Sequence, residues 1–178
     1  LEDRMRILMS VENTARRVKA IIPVHTFGQM ANMEAVIEIA HRYNVPVIED
    51  AACALGSRWD NKHAGTWGTM GCFSFHPRKA ITTGEGGMIT TNEASLANKL
   101  RSLRNHGQSE ESLIPDCSMP GYNMRMTEFQ AALGITQMQK LDRIIQARRG
   151  LALRYDSLLK NSPMKSPYIA EKSYPVYQ

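Results

Sequence analysis

Apolar positions fall into short continuous runs in the first half of the chain and into a helical rhythm in the second. KAIIPVH at 19–25 and VPVIED at 45–50 are β-branched runs, and near-continuous apolarity of that length predicts parallel strands covered on both faces. Between them, MANMEAVIEIAHRYN sets Met33, Val36, Ile37, Ala40 and Tyr43 at helical spacing. Asn32 is placed as the N-cap, Glu34 lies in the first turn, and Asn44 with Pro46 closes the segment. The three segments predict one βαβ unit.

Two further strands, GCFSFH at 71–76 and GGMITT at 86–91, are joined by a connection too short for a helical crossover, so antiparallel pairing is expected. Asn92 is placed to cap a helix that buries Leu96, Leu100 and Leu103 and stops at Gly107; a polar, Pro-containing stretch to about Gly121 then reads as a loop. From Thr127, which forms a capping-box signature with Gln130, the spacing turns helical for a long way. Phe129, Leu133, Leu141, Ile144, Ile145, Leu151, Tyr155 and Leu158 supply its apolar positions, and Pro163 ends it. The fold class is α/β.

A chain of 178 residues with 43% hydrophobic content is long enough for one sizeable core. Cys53, Cys72 and Cys117 are odd in number and far apart, with no CxxC pair for zinc or thiol exchange, which predicts a reducing cytoplasm. No apolar run approaches the roughly 20 residues that span a bilayer, and the opening LEDRMRILMS lacks a signal-peptide core, so neither membrane insertion nor secretion is expected. The net charge of +5 comes from scattered basic residues without interleaved aromatics, which favours acidic small molecules over nucleic acid. With Leu1 at one end and SYPVYQ at the other, the chain reads as a fragment.

Candidate chemistry gathers in two places. Asp50 lies at the carboxyl end of a predicted parallel strand, where open α/β sheets present ligand-binding groups; on position alone it reads more readily as the cap of a short helix starting AACAL. In FSFHPRKAITTGEGG, 73–87, a strand ends in Ser74 and His76, then come Lys79 and a glycine-rich run. That combination suits a cofactor with a phosphate and an aldehyde: Ser74 offers a hydroxyl to a phosphate oxygen, and Lys79 an amine that is nucleophilic once deprotonated by burial or by a cationic neighbour such as Arg78. Taken singly, such a lysine reads as a surface residue in a turn whose glycines serve positive φ.

The joint order and spacing of HTFGQMANMEAV, VIEDAACALG, GCFSFHPRKAITTGEGGMITT, LRNHG and GYNMRMTEFQAALGITQMQKLD resembles the DegT/StrS family of pyridoxal-phosphate-dependent sugar aminotransferases, from about Thr14 to about Leu159. The resemblance implies the central part of an aspartate-aminotransferase-like large domain: a mostly parallel sheet with one antiparallel strand, flanked by helices and truncated at both ends. Residues 1–162 would be a partial cofactor-binding domain ending in long helices, and 163–178 the start of a connection to a C-terminal domain. It implies that Lys79 forms the Schiff base with pyridoxal 5'-phosphate, that Asp50 pairs with the pyridine nitrogen, and that Ser74 binds the phosphate. Asn123 matches an asparagine that reaches the cofactor phosphate of a neighbouring subunit, which implies a homodimer with a shared site, and Arg125 is matched to an anionic substrate. Cys53 stands where the family usually carries a glutamine or histidine near the cofactor's ring hydroxyl, and a thiol is a poorer hydrogen-bond partner than either.

The implied reaction transfers an amino group, with glutamate as donor, to the keto group of a nucleotide-linked sugar. One alternative is a fragment that folds and dimerises without completing the site. Another is a related sugar dehydrase, which Lys79 disfavours because that enzyme resembles this sequence with histidine in its place. A nucleotide-binding α/β domain is disfavoured by the lack of GxGxxG or GxxxxGK[ST] after any strand. His25 and His106 have family counterparts but read as structural, and Trp59 and Trp67 as anchors of the loop SRWDNKHAGTWG.

Overall fold

A computed structural model of the protein describes residues 1–11, 17–108, 116–117 and 119–178. The elements are α1 (Glu2–Ser10), α2 (Met33–Arg42), β1 (Ile48–Asp50), β2 (Arg58–Trp59), β3 (Lys62–His63), β4 (Met70–Ser74), β5 (Gly87–Thr90), α3 (Ala94–Arg104), α4 (Glu128–Met138), α5 (Leu141–Leu159) and β6 (Ser173–Tyr174).

α2 forms where its spacing predicts. The Asn32 side chain accepts the Ala35 N–H at 3.1 Å, and His41 and Arg42 lie in the last turn, where cations favour the helix dipole. Asn44, at φ 50, then turns the chain towards Val45. β1 runs parallel to β4 with Asp50 opposite Cys72, and β4 runs antiparallel to β5 with Ser74 opposite Gly87, giving the order β1-β4-β5. The 19–25 run lies alongside as two parallel bridges, Ile21 to Val47 and Val24 to Asp50.

Burial corrects one expectation. Val45, Val47 and Glu49 are buried, but Ile22 and Val24 are more than half exposed, so within this chain the sheet is covered on one face only. Met33, Ala40, Val47 and Ala54 sit at the centre of that covered face.

Two strands of a second sheet, β3-β2-β6, occupy the segment read as the loop SRWDNKHAGTWG. Asp60 and Asn61 both adopt positive φ, 47 and 62, the requirement of a type I′ hairpin turn, and Lys62 lies over the Trp67 ring. β6 brings the end of the chain back onto this hairpin. Val176 is buried beside Ile145 and Phe75, while Arg149 donates to the Pro175 carbonyl at 2.9 Å and covers the Tyr174 ring.

The helices depart from their predicted starts and lengths. α3 begins at Ala94 with Glu93, not Asn92, as its N-cap, because Thr91 Oγ1 takes the Glu93 N–H in a local turn. Leu96, Leu100 and Leu103 are only half-buried. In the expected 107–121 loop, residues 109–115 and 118 lie outside the described residues, as does Thr14. The capping box at Thr127 and Gln130 is present, but the long helix divides into α4 and α5 at Gln139–Lys140. Among the described residues no helix is long and apolar enough to cross a membrane.

Candidate functional site

Because β1 and β4 are parallel and in register, Asp50 and Ser74 both finish at the carboxyl edge of the sheet. The Ala51 N–H donates to the Cys72 carbonyl at 2.9 Å, carrying the pairing one residue past Asp50. Asp50 Oδ1 then accepts the Ala52 N–H at 3.1 Å, which closes a turn instead of capping a helix at AACAL. The Ala54 N–H donates to the Ala51 carbonyl, and Gly56, at φ 87, leads the chain away. Ala51 and Ala54 are buried, and Cys53 sits half-buried between them.

The second wall follows β4. Phe75 is buried; its N–H donates to the Gly86 carbonyl, and its own carbonyl accepts from the Thr83 N–H and the Thr82 hydroxyl. These bonds fold TTGEGG back over the strand end. The His76 N–H donates to Ser74 Oγ at 3.3 Å, and the Lys79 N–H to the His76 carbonyl at 2.9 Å. The Lys79 side chain crosses to the first wall, where Nζ donates to Cys53 Sγ at 3.0 Å. An amine, a thiol, a carboxylate and a hydroxyl thus share one end of the sheet.

Beneath Asp50 lies a pair that the sequence pattern did not reveal. Glu49 and His25 are fully buried, with His25 Nε2 3.0 Å from Glu49 Oε2. Because the Ala31 N–H donates to His25 Nδ1, Nε2 is the nitrogen that carries the proton and donates to the carboxylate. Glu49 also accepts the N–H groups of Gly65, Trp67 and Gly68 at 2.7–2.8 Å. Burial works to raise the Glu49 carboxyl, but the His25 bond and the three backbone bonds outweigh it and hold the group below its ordinary value. Burial also pushes the Cys72 thiol up, with the Asp50 charge adding to the effect. The available signal was an acid inside an apolar strand run, next to a histidine at the end of its neighbour.

Asn123 and Arg125 lie apart from this cluster. Asn123 is exposed and bridges Asn105, Arg125 donates to the Asn105 side chain, and neither bonds to Lys79, Asp50, Ser74 or Cys53 among the described residues. The segment that carries them does reach the site's outer wall. The Gln130 amide donates to the Glu85 carbonyl at 2.9 Å, and Met126 packs into the cluster of Phe75 and Ile81.

The DegT/DnrJ/EryC1/StrS aminotransferase family matches residues 7–175. The chain belongs to that family. It is 42% identical to GDP-perosamine synthase of Caulobacter vibrioides over 158 residues, which covers 86% of this chain and 42% of that protein. Its fold matches a DegT/DnrJ/EryC1/StrS aminotransferase from Brucella abortus with TM-score 0.88 and 32% identity, over 99% of this chain and 48% of that one. It also matches S. venezuelae DesV, solved in complex with a ketimine intermediate, with TM-score 0.83 and 36% identity over 89% of this chain and 43% of that one. The chain therefore spans less than half the length of these relatives. The fold is that of aspartate-aminotransferase-like structures, with parallel strands and the antiparallel β5 in one sheet.

Proposed function

We propose that the protein is a pyridoxal-phosphate-dependent aminotransferase that moves an amino group from glutamate to the keto group of a nucleotide-linked sugar. The observation that carries this reading is the meeting of the Lys79 amine, the Asp50 carboxylate and the Ser74 hydroxyl at one sheet end. That donor set fits an aldehyde-bearing ring with a basic nitrogen and a phosphate. Membership of the aminotransferase family supports the cofactor, and the relative named GDP-perosamine synthase supports a nucleotide-linked sugar.

Bound there, pyridoxal phosphate supplies an electron sink for the charge left when a substrate loses its α-proton. The Asp50 carboxylate keeps a proton on the ring nitrogen. The Ser74 hydroxyl donates to a phosphate oxygen. The Lys79 amine would hold the aldehyde carbon and, when free, would move the α-proton. Asn123, which this chain leaves exposed, acts in the site of a neighbouring copy, and Arg125 positions an anionic substrate, so the working form is a homodimer in the cytoplasm. Residues 1–162 belong to the cofactor-binding large domain, and 163–178 lead towards a C-terminal domain.

Borohydride reduction of the protein after loading with pyridoxal phosphate, followed by peptide mapping, tests the assignment. The reduced tag is expected on Lys79. A tag on another lysine, or none, overturns it.

A further inference from the structure

The contact between Lys79 and Cys53 asks for a reason, because a lysine amine more often pairs with a carboxylate than with a thiol. Asp50 ends the same wall, yet its Oδ1 is used by the Ala52 N–H, and among the described residues no carboxylate stands within ion-pair reach of the Lys79 amine. The amine rests on sulfur at 3.0 Å instead. The two partners are held very differently. Cys53 sits on a turn fixed by the Ala51 and Ala54 backbone bonds, with its carbonyl packed 3.0 Å from where a Cβ on Gly28 would lie. Gly28, at φ 80, leaves room for that approach. Lys79 reaches across on four methylenes, free to rotate unless something holds its end.

We propose that Cys53 is a positioning residue for Lys79, a fixed sulfur that holds the amine in place by a bond weak enough to yield to a carbonyl. This rests on the reading of Lys79 as the cofactor lysine. A thiol is a weak acceptor, so it orients the amine through a bond far weaker than a carboxylate at the same place would make. When the amine condenses with an aldehyde, a C=N bond forms, the carbonyl oxygen leaves as water with the two amine protons, and the bond to sulfur is lost. Cys53 then acts on the cofactor through Lys79, and the glutamine or histidine usual in the family is not needed for that task.

Two rates measured on Cys53→Ser, Cys53→Ala and Cys53→Asp separate this from a packing role. The first is reductive methylation of Lys79 by formaldehyde and borohydride in cofactor-free protein, read by peptide mass. The second is growth of the visible absorbance band when pyridoxal phosphate is mixed with cofactor-free protein. Methylation from bulk solvent rewards an untethered amine, whereas capture of a ligand seated in the site rewards a placed one. The expected order for methylation is Ala fastest, wild type and Ser alike, Asp slowest. The expected order for cofactor capture is wild type and Ser alike, then Ala about twofold slower, the worth of a hydrogen bond at the weak end of the usual range, then Asp. A packing defect would move both rates the same way. Equal methylation of wild type and Cys53→Ala, or a Ser variant that behaves like Ala, overturns the proposal. A wild type that shows the methylation order but no visible band leaves the tether standing and overturns the cofactor reading instead.

Discussion

The two halves of the chain bury their apolar residues to different extents. In the βαβ half, Met33 is 0% exposed, Ala40 2% and Val47 3%, and even the charged Glu49 is sealed with all its bonds made. In the helical half, Phe129 is 91% exposed and Leu153 and Leu158 are close to 70%, and of α4 and α5 only Leu141 and Ile145 are buried. The first half closes a core of its own around the end of the sheet that carries the candidate chemistry. The second offers apolar faces that this chain does not cover, which accords with a chain under half the length of its relatives.

The closed core of the first half should be most sensitive at Glu49. Glu49→Gln puts an amide among four hydrogen-bond donors, and a loss of about 2–3 kcal/mol is expected in urea unfolding, as when hydrogen bonds to a buried charged group are lost. The pH dependence has a definite sign. Because the folded carboxyl lies below its ordinary 4.5, its stabilisation is complete above that value and is lost as pH falls through the lower folded one. The Gln variant should therefore be less stable at neutral pH and show a flatter acid limb. Identical acid profiles for the two proteins would mean that the Glu49 charge does not hold this half together.

The next test sets a covered position of the helical half against an uncovered one. Ile145 is 4% exposed, with its Cδ1 against Gly56, and Ile145→Ala is expected to cost about 2–3 kcal/mol. Phe129→Ala, a larger deletion, should change the stability of this chain by no more than about 0.5 kcal/mol, because the ring touches mostly solvent. If Phe129→Ala costs as much as Ile145→Ala, and the cost depends on protein concentration, a second molecule covers α4.

What the sequence made legible was local. The Asn32 cap, the α2 stripe, the short link that forces β4 and β5 antiparallel, and the capping box at Thr127 each need only neighbouring residues to decide them. What it hid was non-local or competed for locally. β2 and β3 have two residues each, too few for a periodicity to register, and β2 owes its other partner to Ser173–Tyr174, more than a hundred positions away. The Asn92 cap lost to the Thr91 hydroxyl, and the AACAL helix to the Asp50 turn, because short polar side chains offer the backbone several nearby bonds. The break at Gln139–Lys140 is masked by apolar spacing that continues across it. At the site, strand ends and glycines pointed to Asp50, Ser74 and Lys79, but nothing in the spacing foretold that the Lys79 amine would rest on Cys53.

The smallest expected effect carries the finest discrimination. Gly150 lies in the middle of α5 with open space around it, where glycine costs a helix about 0.5–1 kcal/mol relative to alanine. Gly150→Ala should therefore raise the stability of this chain by that amount, read as a higher melting temperature. In the whole protein the sign is diagnostic. A gain of the same size would mean that this part of α5 stays open to solvent. A loss would mean that another backbone approaches Gly150 too closely to admit a methyl group, which would locate on α5 the surface that covers the helical half.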